Sequence, residues 1–531
     1  KAPVNEQHGH RKIIFSILCC LTLGVAIIAL HRSSNSVQAL STHYTNISEA
    51  YENYGFAYCF ANSILDTGIK KPEDYSKQSV KKITKALKDE KNTDKRPNII
   101  FIQLESFFDV GYEKNLQFSE DPLPVFHSLQ KKYSSGLVTV PTVGAGTVNT
   151  EFEILTGMRQ HDFGVSEYPY KTVLKSKTSE SICTDLKKLG YSTHAVHNNE
   201  ATFYGRNTVF SNIGFDTFCS MEYMNGLTDS PNGWSNDDVL SREIMKTLDS
   251  TSGPDFTMAI TVQSHGKYDG IALDDPTIKV TGAPERKEQA YEYYVNEIHE
   301  VDRMIDTLIK ELSNRKEETV LVLYGDHLPS LDIQKDDLSN ANLYQTQYVV
   351  WDNMNLTKNL HAYQLYAEVL DRIQIHEGMI TKYHQQTKHR SKLYLTGLTT
   401  LSYDLLYGDN YAYDGENPFK QTELQMGTEP VKLTSVQKTK SGYRVVGSGF
   451  TPYCKVYYDG TLVESEWISS GCLQLQDEFE LDEADKKDSG EPETEVTEPR
   501  DVPNAFVVEV QSDDGVVLSS TQAYPASQVK K

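Results

Sequence analysis

The sequence predicts an α/β fold: a mostly parallel sheet flanked by helices, preceded by a transmembrane helix and followed by a small β-sandwich. Three observations carry this. Short, mostly apolar runs end in polar residues at Asn98–Leu104, Phe256–Val262 and Thr319–Tyr324. Helical stretches lie between such runs, as in Gln289–Leu312, where Ile298, Val301, Ile305, Leu308 and Ile309 recur at helical spacing. Beyond about residue 415 the pattern changes to short alternating runs cut by Gly, Pro and Asp. Strands buried on both faces read as unbroken apolar runs, and helical crossovers between them signal a parallel sheet.

Taken in order, the first element is Ile13–Leu30, 18 residues without a charge. At about 1.5 Å per residue it spans roughly 27 Å, close to a bilayer core. Arg11 and Lys12 before it and Arg32 after it favour the N-terminus inside and the rest of the chain outside. A cleaved signal peptide ending at Ser36–Ala39 is the rival; the length of the run favours an anchor. Residues 1–31 are therefore expected to be a cytoplasmic tail and transmembrane helix. Residues 32–95 are polar, helix-leaning and end in the charged segment Lys81–Arg96, which suggests a helical stalk or packing arm.

A catalytic domain is expected over 96–415. Asn98–Leu104 is a buried strand followed by Glu105, and Thr319–Tyr324 leads into Gly325, Asp326 and His327. Phe256–Val262 leads to Ser264-His265-Gly266, and Tyr191–Val196 to His197; Glu180–Leu189 reads as a helix. In such sheets ligands collect at the carboxyl ends of the strands. Over 429–531, Pro430–Val436, Gly442–Gly447, Lys455–Tyr458 and Ala505–Gln511 suggest a β-sandwich.

Charge excludes one class of partner. Lys and Arg number 52 against 74 Asp and Glu, a net −22, so polyphosphate is repelled and no nucleic-acid partner is expected. The segment 477–501 holds 12 acids and 3 bases, −9 of that total, and is read as an acidic loop inserted in the sandwich. The seven cysteines include no CxxC, which argues against a structural zinc site of that kind. Cys454 and Cys472 could pair outside the cell or remain buried thiols.

The chemistry-bearing residues sit at strand ends. The loop 141–147 (PTVGAGT) runs into the helical pattern of Val148–Leu155, placing Thr147 near a helix N-terminus, where an anion is favoured. A threonine hydroxyl is a weak nucleophile unless its pKa falls, and a divalent metal lowers it. Glu105, Asp326 and His327 are suitable ligands for one. Any one of these residues alone is more often a turn, cap or structural residue; the combination is what points to chemistry.

Several ordered segments resemble the lipoteichoic acid synthase group of the alkaline phosphatase/sulfatase superfamily. They are NIIFIQLESF (98–107), GTVNTEFEILTG (146–157), HNNEATFYGR (197–206) with IGFD (213–216), SHG (264–266) and YGDHLP (324–329). The resemblance covers roughly residues 50–415 and implies a sulfatase-like catalytic domain. It implies that Glu105, Thr147, Asp326 and His327 hold a metal, typically Mn2+ with Mg2+ or Zn2+ as alternatives, and that Thr147 is the nucleophile. It implies that His197, Tyr204, Arg206 and His265 hold the glycerol-phosphate group. Relatives often carry Trp where Tyr204 stands, and one more residue before the threonine. Counting back from Glu151-Phe152 selects Thr147, with Thr150 second. The Cys-x-Pro-x-Arg signature of sulfate-ester hydrolases is absent.

The implied activity is phosphoglycerol transfer at the outer face of a bacterial cell membrane. Phosphatidylglycerol is the donor, and a glycolipid or polyglycerolphosphate chain is the acceptor. The alternatives are a phosphoethanolamine transferase or phosphodiesterase of the same superfamily, or a non-catalytic protein that binds the cell wall.

Overall fold

The computed structural model describes residues 67–531 apart from 165–166, 285, 353–358, 390, 441, 477–478, 482–498 and 531, with isolated positions before residue 67. Apart from Thr22, the apolar run Ile13–Leu30 lies outside the described residues, as does most of the acidic segment 477–501. Among the described residues no helix is long and apolar enough to cross a membrane.

Nine strands form the main sheet. In chain order they are β1 (Asn98–Leu104), β2 (Ser134–Thr139), β3 (Ser192–His197), β4 (Thr217–Ser220), β5 (Asp255–Ile260), β6 (Thr319–Gly325), β7 (Gln345–Trp351), β8 (Leu360–His361) and β9 (Gln425–Met426). Across the sheet they run β8-β2-β7-β6-β1-β5-β3-β4-β9. All seven residues of β1 are buried, as its unbroken apolar run requires. Strand β1 pairs in parallel with β5 and β6, and the parallel run continues through β3, β4 and β9.

The sheet is mostly parallel, as the sequence suggests, and is mixed through one strand. Strand β7 is antiparallel to both β6 and β2. The connection from β6 to β7 holds one short 3-10 turn, Lys335–Asp337, and no crossover helix, so the chain turns back beside β6.

Register sets where the site falls. Gln103 pairs with Ile260 and with Tyr324, and His197 pairs with Ile260. The carboxyl ends of β1, β3, β5 and β6 therefore lie abreast. Helix α1 (Thr147–Thr156) is buried along all ten residues. Helices α2 (Arg206–Asn212) and α3 (Val239–Ser250) follow, then α4 (Glu288–Ser313) and α5 (Ala362–Arg372). The long α4 buries Ile298, Val301, Ile305 and Leu308, as their spacing predicts. Ahead of β1, the helix Lys77–Thr84 lies against the catalytic unit: Tyr75 donates to Asp404 at 2.6 Å and Lys81 pairs with Asp414.

The chain leaves the main sheet through its edge strand β9 and forms two antiparallel sheets. One is ordered β10-β11-β15-β14, from Lys432–Thr439, Gly442–Ser448, Cys472–Leu475 and Ser465–Ser469. The other is β13-β12-β16-β17, from Thr461–Val463, Cys454–Tyr458, Ala505–Gln511 and Val517–Ser520, with β18 (Tyr524–Pro525) on β16. Phe479 bridges them, with Tyr443 of one sheet at 5.5 Å and Tyr458 and Phe506 of the other at 5.6 and 5.8 Å. Cys454 and Cys472 sit on different sheets as free thiols. The β unit is tied to the catalytic unit by Thr451 Oγ1 donating to Glu222 O (2.7 Å) and by the Tyr223–Ser519 hydroxyl pair (2.6 Å).

Gly325 closes β6 where the chain passes the Phe107 carbonyl. A Cβ there would sit 1.9 Å from that oxygen and 3.1 Å from Thr346 Cβ. Gly325→Ala is expected to destabilise the protein by about 2 kcal/mol or more, read as a lower denaturant midpoint, because the Phe107 backbone must shift on one side and Thr346 must give way on the other.

Candidate active site and metal centre

The site is assembled at the carboxyl edge of the sheet. Beyond Leu104 the chain turns sharply at Ser106, which takes a left-handed conformation (φ 49°). Glu105 is fixed from both sides, its N–H donating to Thr261 Oγ1 (2.7 Å) and its carbonyl accepting from Ser264 Oγ. Ser106 Oγ donates to Glu105 Oε1 (2.9 Å), and Thr147 Oγ1 donates to Glu105 Oε2 (2.8 Å). Gly146 caps α1 in the left-handed region (φ 97°), so Thr147 is the first helical residue, at the positive end of the helix dipole. Gln103 Nε2 holds the Thr147 carbonyl at 3.2 Å. The other threonine candidate, Thr150, is committed elsewhere: its hydroxyl donates to Asp326 O at 2.7 Å.

Asp326 Oδ1 accepts from the N–H groups of Ser106 and His327, each at 2.7 Å. His327 Nδ1 lies 3.0 Å from Leu328 O and so carries the proton there, leaving Nε2 with a lone pair. Asp326 Oδ2 and His327 Nε2 are both buried and lack a hydrogen-bond partner. Ligand atoms of Glu105, Asp326 and His327 lie within 4.8 Å of one another, the one such His/Cys/Asp/Glu group among the described residues.

Electrostatics explains why such a group needs a cation. Burial, then the Glu105 charge, pushes the Asp326 carboxyl well above its usual range. Burial also raises Glu105, but the His327 and His265 rings and the Thr147 and Ser106 hydroxyls outweigh it and hold that carboxyl low. Burial lowers His327, keeping it neutral. The donor set therefore comprises carboxylate oxygens, a neutral imidazole and a hydroxyl, which suits a hard-to-borderline divalent ion.

The four residues singled out for substrate stand around this centre. His197 ends β3; its Nδ1 lies 2.9 Å from Ile260 O, and burial and the Arg206 charge hold it well below the usual histidine range. A neutral ring with its proton at Nδ1 presents Nε2 as an acceptor. The His265 ring lies 4.5 Å from Trp234, and its Nδ1 lies 2.6 Å from Gly266 O. Tyr204, left-handed at φ 58°, stacks on Tyr168 at 5.9 Å. The Lys171 ammonium lies 4.9 Å over the Tyr204 ring and the Arg206 guanidinium 5.5 Å from it.

Arg206 departs from expectation. The sequence suggests a whole guanidinium fork for phosphate. The structure pairs Arg206 with Glu151 of α1, through Nε (3.2 Å) and Nη2 (2.9 Å), with both residues at most 1% exposed. Only Nη1 is left without a partner. A buried helix carrying Glu151 needs that countercharge.

Sequence reasoning missed Glu151, Tyr168, Lys171, Trp234 and Asp237. Asp237 accepts from Val262 N, Gln263 N and Asn198 Nδ2, joining the loops that follow β3 and β5. Glu151 lies within the segment 146–157 but serves the sequence reading only as a spacing marker; of the other four, only the aromatic run 167–171 (EYPYK) carries a local signal.

Residues 97–375, over half of the chain, match the Sulfatase family, and the chain belongs to that family. It is 31% identical over 287 residues to a putative cyclic β-1,2-glucan modification protein of Rhizobium meliloti, covering 54% of this chain and 44% of that one. It is 24% identical over 263 residues to the lipoteichoic acid synthase of Staphylococcus saprophyticus, covering 48% and 39%. The chain thus spans less than half the length of these curated relatives. Among solved structures, the phosphoglycerol transferase GacH of Streptococcus pyogenes, in complex with sn-glycerol-1-phosphate, shares the fold. Its TM-score is 0.58 at 22% identity, covering 67% of this chain and all of that one.

Two outcomes follow from the electrostatics. Adding a divalent cation to chelator-treated protein should raise its unfolding midpoint, by about 2.7 kcal/mol of stability at a hundredfold excess over Kd. Asp326→Asn should remove most of that gain. Separately, Glu153 of α1 is pushed up from 4.5 to about 8, chiefly by burial. A raised carboxyl favours the folded state fully below 4.5, and that contribution is lost as pH rises through about 8. Unfolding midpoints should therefore fall across this window, and Glu153→Gln should flatten the fall.

Proposed function

We propose that this chain is a metal-dependent phosphoglycerol transferase. It would move glycerol phosphate from phosphatidylglycerol to a hydroxyl acceptor through a covalent intermediate on Thr147. The observation that carries the reading is the Thr147 hydroxyl at a helix N-terminus, 2.8 Å from Glu105, beside the two orphaned lone-pair atoms of Asp326 and His327. Glu105, Thr147, Asp326 and His327 would hold the metal, with Mn2+ the first candidate. When bound, the ion lowers the hydroxyl pKa and neutralises charge on phosphoryl oxygen.

The side chains divide the remaining work. Thr147 Oγ1 attacks phosphorus, and its proton leaves along the hydrogen bond to Glu105. The bond from phosphorus to the diacylglycerol oxygen breaks, and His265, protonated at Nε2, gives that oxygen a proton. The N-terminus of α1 and Arg206 Nη1 donate to phosphate oxygens. His197 Nε2, an acceptor only, matches a glycerol hydroxyl and not an anionic oxygen. The Tyr204 ring walls the glycerol carbons. In the second half, the acceptor hydroxyl gives its proton to His265 and its oxygen displaces Thr147, which regains its own.

The cations around Tyr204 favour glycerol over an ethanolamine headgroup, because Lys171 and Arg206 repel an ammonium. Two relatives are named for lipoteichoic acid synthesis and for glucan modification, consistent with transfer to a polyglycerolphosphate chain or a glycan. The remaining assignments belong to the same proposal. Ile13–Leu30 anchors the chain in the membrane, 32–95 links it to the catalytic domain 96–415, and 429–531 forms a β-sandwich. The catalytic domain lies outside, above its lipid donor.

Thr147→Ala should cut diacylglycerol release from phosphatidylglycerol vesicles by at least about a thousandfold while leaving the protein folded, with stability lowered by no more than the lost hydrogen bond to Glu105, about 1 to 3 kcal/mol. Mass spectrometry of the wild-type peptide carrying Thr147 should show one added glycerophosphate. Near-normal turnover in the variant would overturn the mechanism.

A further inference from the structure

Three histidines face the candidate site, and His265 is held differently from the other two. His197 ends β3, His327 stands two residues past β6, and both are buried. His265 is half-buried on the loop that follows β5. Its backbone N–H donates to Val262 O at 2.9 Å, and its Nδ1 lies 2.6 Å from the carbonyl of the next residue, Gly266. A ring bonded to its own neighbour turns with that neighbour. Support from outside the loop has to fix the pair.

The hairpin 229–235 supplies that support. The Trp234 ring lies 4.5 Å from the His265 ring at an interplanar angle of 53°. Trp234 Nε1 donates to Gly266 O (3.2 Å), so both rings are tied to one carbonyl. Gly266 itself packs so closely on the loop after His327 that a Cβ would sit 2.6 Å from Ser330 Oγ. Asn232 Nδ2 donates to His265 O (2.9 Å), and Ser230 Oγ donates to Asn232 Oδ1 (2.7 Å), which sets that amide the right way round. The hairpin is closed by the Asp229–Ser235 bridge and by Ser230 N donating to Trp234 O at 2.7 Å. Just beyond it, the buried Asp237 accepts from Val262 N (2.9 Å) and Gln263 N (3.2 Å), fastening the hairpin to the His265 loop. The chain has three tryptophans. Trp351 and Trp467 pack against the hydrophobic core, whereas Trp234 packs against His265.

We propose that Trp234 is a positioning residue that holds the His265 imidazole so that Nε2 meets the oxygen leaving phosphorus. The proposal deepens the phosphoglycerol-transfer reading and rests on it. In the first half-reaction the bond from phosphorus to the diacylglycerol oxygen breaks as the Thr147 Oγ1–phosphorus bond forms. The electron pair of the broken bond stays on that oxygen, which takes the Nε2 proton. In the second half the acceptor hydroxyl returns a proton to Nε2. The Nδ1 proton stays shared with Gly266 O throughout, so the ring keeps one orientation between the halves. Without Trp234 the ring and its carbonyl swing together, and Nε2 no longer lines up with the leaving oxygen.

The test compares two leaving groups in the full chain with Mn2+. Diacylglycerol needs a proton to leave; the p-nitrophenolate of p-nitrophenyl glycerophosphate needs none. Trp234→Ala should lower kcat for diacylglycerol release from phosphatidylglycerol vesicles by at least about thirtyfold, with KM within about threefold, and change p-nitrophenol release by less than about threefold. Trp234→Phe, which keeps the ring contact, should recover most of the loss, and unfolding midpoints check that both variants are folded. Isotope-edited NMR of histidine-labelled protein with Mg2+ reads the ring itself: the Nδ1–H signal that His265→Gln removes should be present in the wild type and lost in Trp234→Ala. The proposal is overturned if kcat for diacylglycerol is unchanged, if both substrates slow equally, if KM alone rises, or if the His265 Nδ1–H signal survives in Trp234→Ala. A wild type that releases no diacylglycerol, while its Nδ1–H signal still depends on Trp234, sinks the transferase reading and sustains the hold on the ring.

Discussion

Glu105 and Asp326 are two buried carboxylates held face to face at the carboxyl edge of a parallel sheet, and the surrounding structure is organised by the need to keep them there. Like charges in a low-dielectric site repel, and burial alone penalises each. The fold answers with fixed dipoles. Asp326 Oδ1 takes two backbone N–H groups, one from the left-handed turn at Ser106. Glu105 takes two hydroxyls, and one of them belongs to Thr147. The hydroxyl that stabilises the charge is thus also the one that opens helix α1. What the dipoles leave unmet, Asp326 Oδ2 and the His327 Nε2 lone pair, is the specification for a cation.

The same constraint reaches outward through packing. Just beyond the turn at Ser106, Gly325 lets the neighbouring strand pass close to the Phe107 carbonyl, where a Cβ would sit 1.9 Å from the oxygen. Thr147 is aimed by α1, and α1 is buried on every side, so its acidic residues must be answered within the core. Arg206 answers Glu151, which turns an expected phosphate clamp into a strut with one free nitrogen. Glu153 has no bidentate partner, and burial pushes its carboxyl up. Stability is given up on this helix to keep its N-terminus where the chemistry needs it.

This hierarchy explains what could be read from the sequence. Strand β1 is legible residue for residue, because burial on both faces demands an unbroken apolar run and the polar residue ending it marks the sheet edge. Strands β3, β5 and β6 are legible within a residue or two for the same reason. Glu105, Asp326 and His327 follow directly from those ends, and Thr147 follows from the glycine-rich loop and the helical pattern behind it. The antiparallel β7 is not legible, because direction depends on a loop without periodicity. The Arg206–Glu151 pair and the Trp234–His265 stack are contacts between segments 55 and 31 residues apart, and no local pattern encodes them. The four residues are recognisable as polar or aromatic; their partners are decided by tertiary packing.

The net charge of −22 can now be divided by place. The acidic segment 477–501 carries −9, which leaves −13 for the rest of the chain. Around Tyr204 and α1 the local field is the reverse of the global one: the Lys171 ammonium lies 4.9 Å over the Tyr204 ring, Arg206 keeps Nη1 without a partner, and α1 contributes the positive end of its dipole.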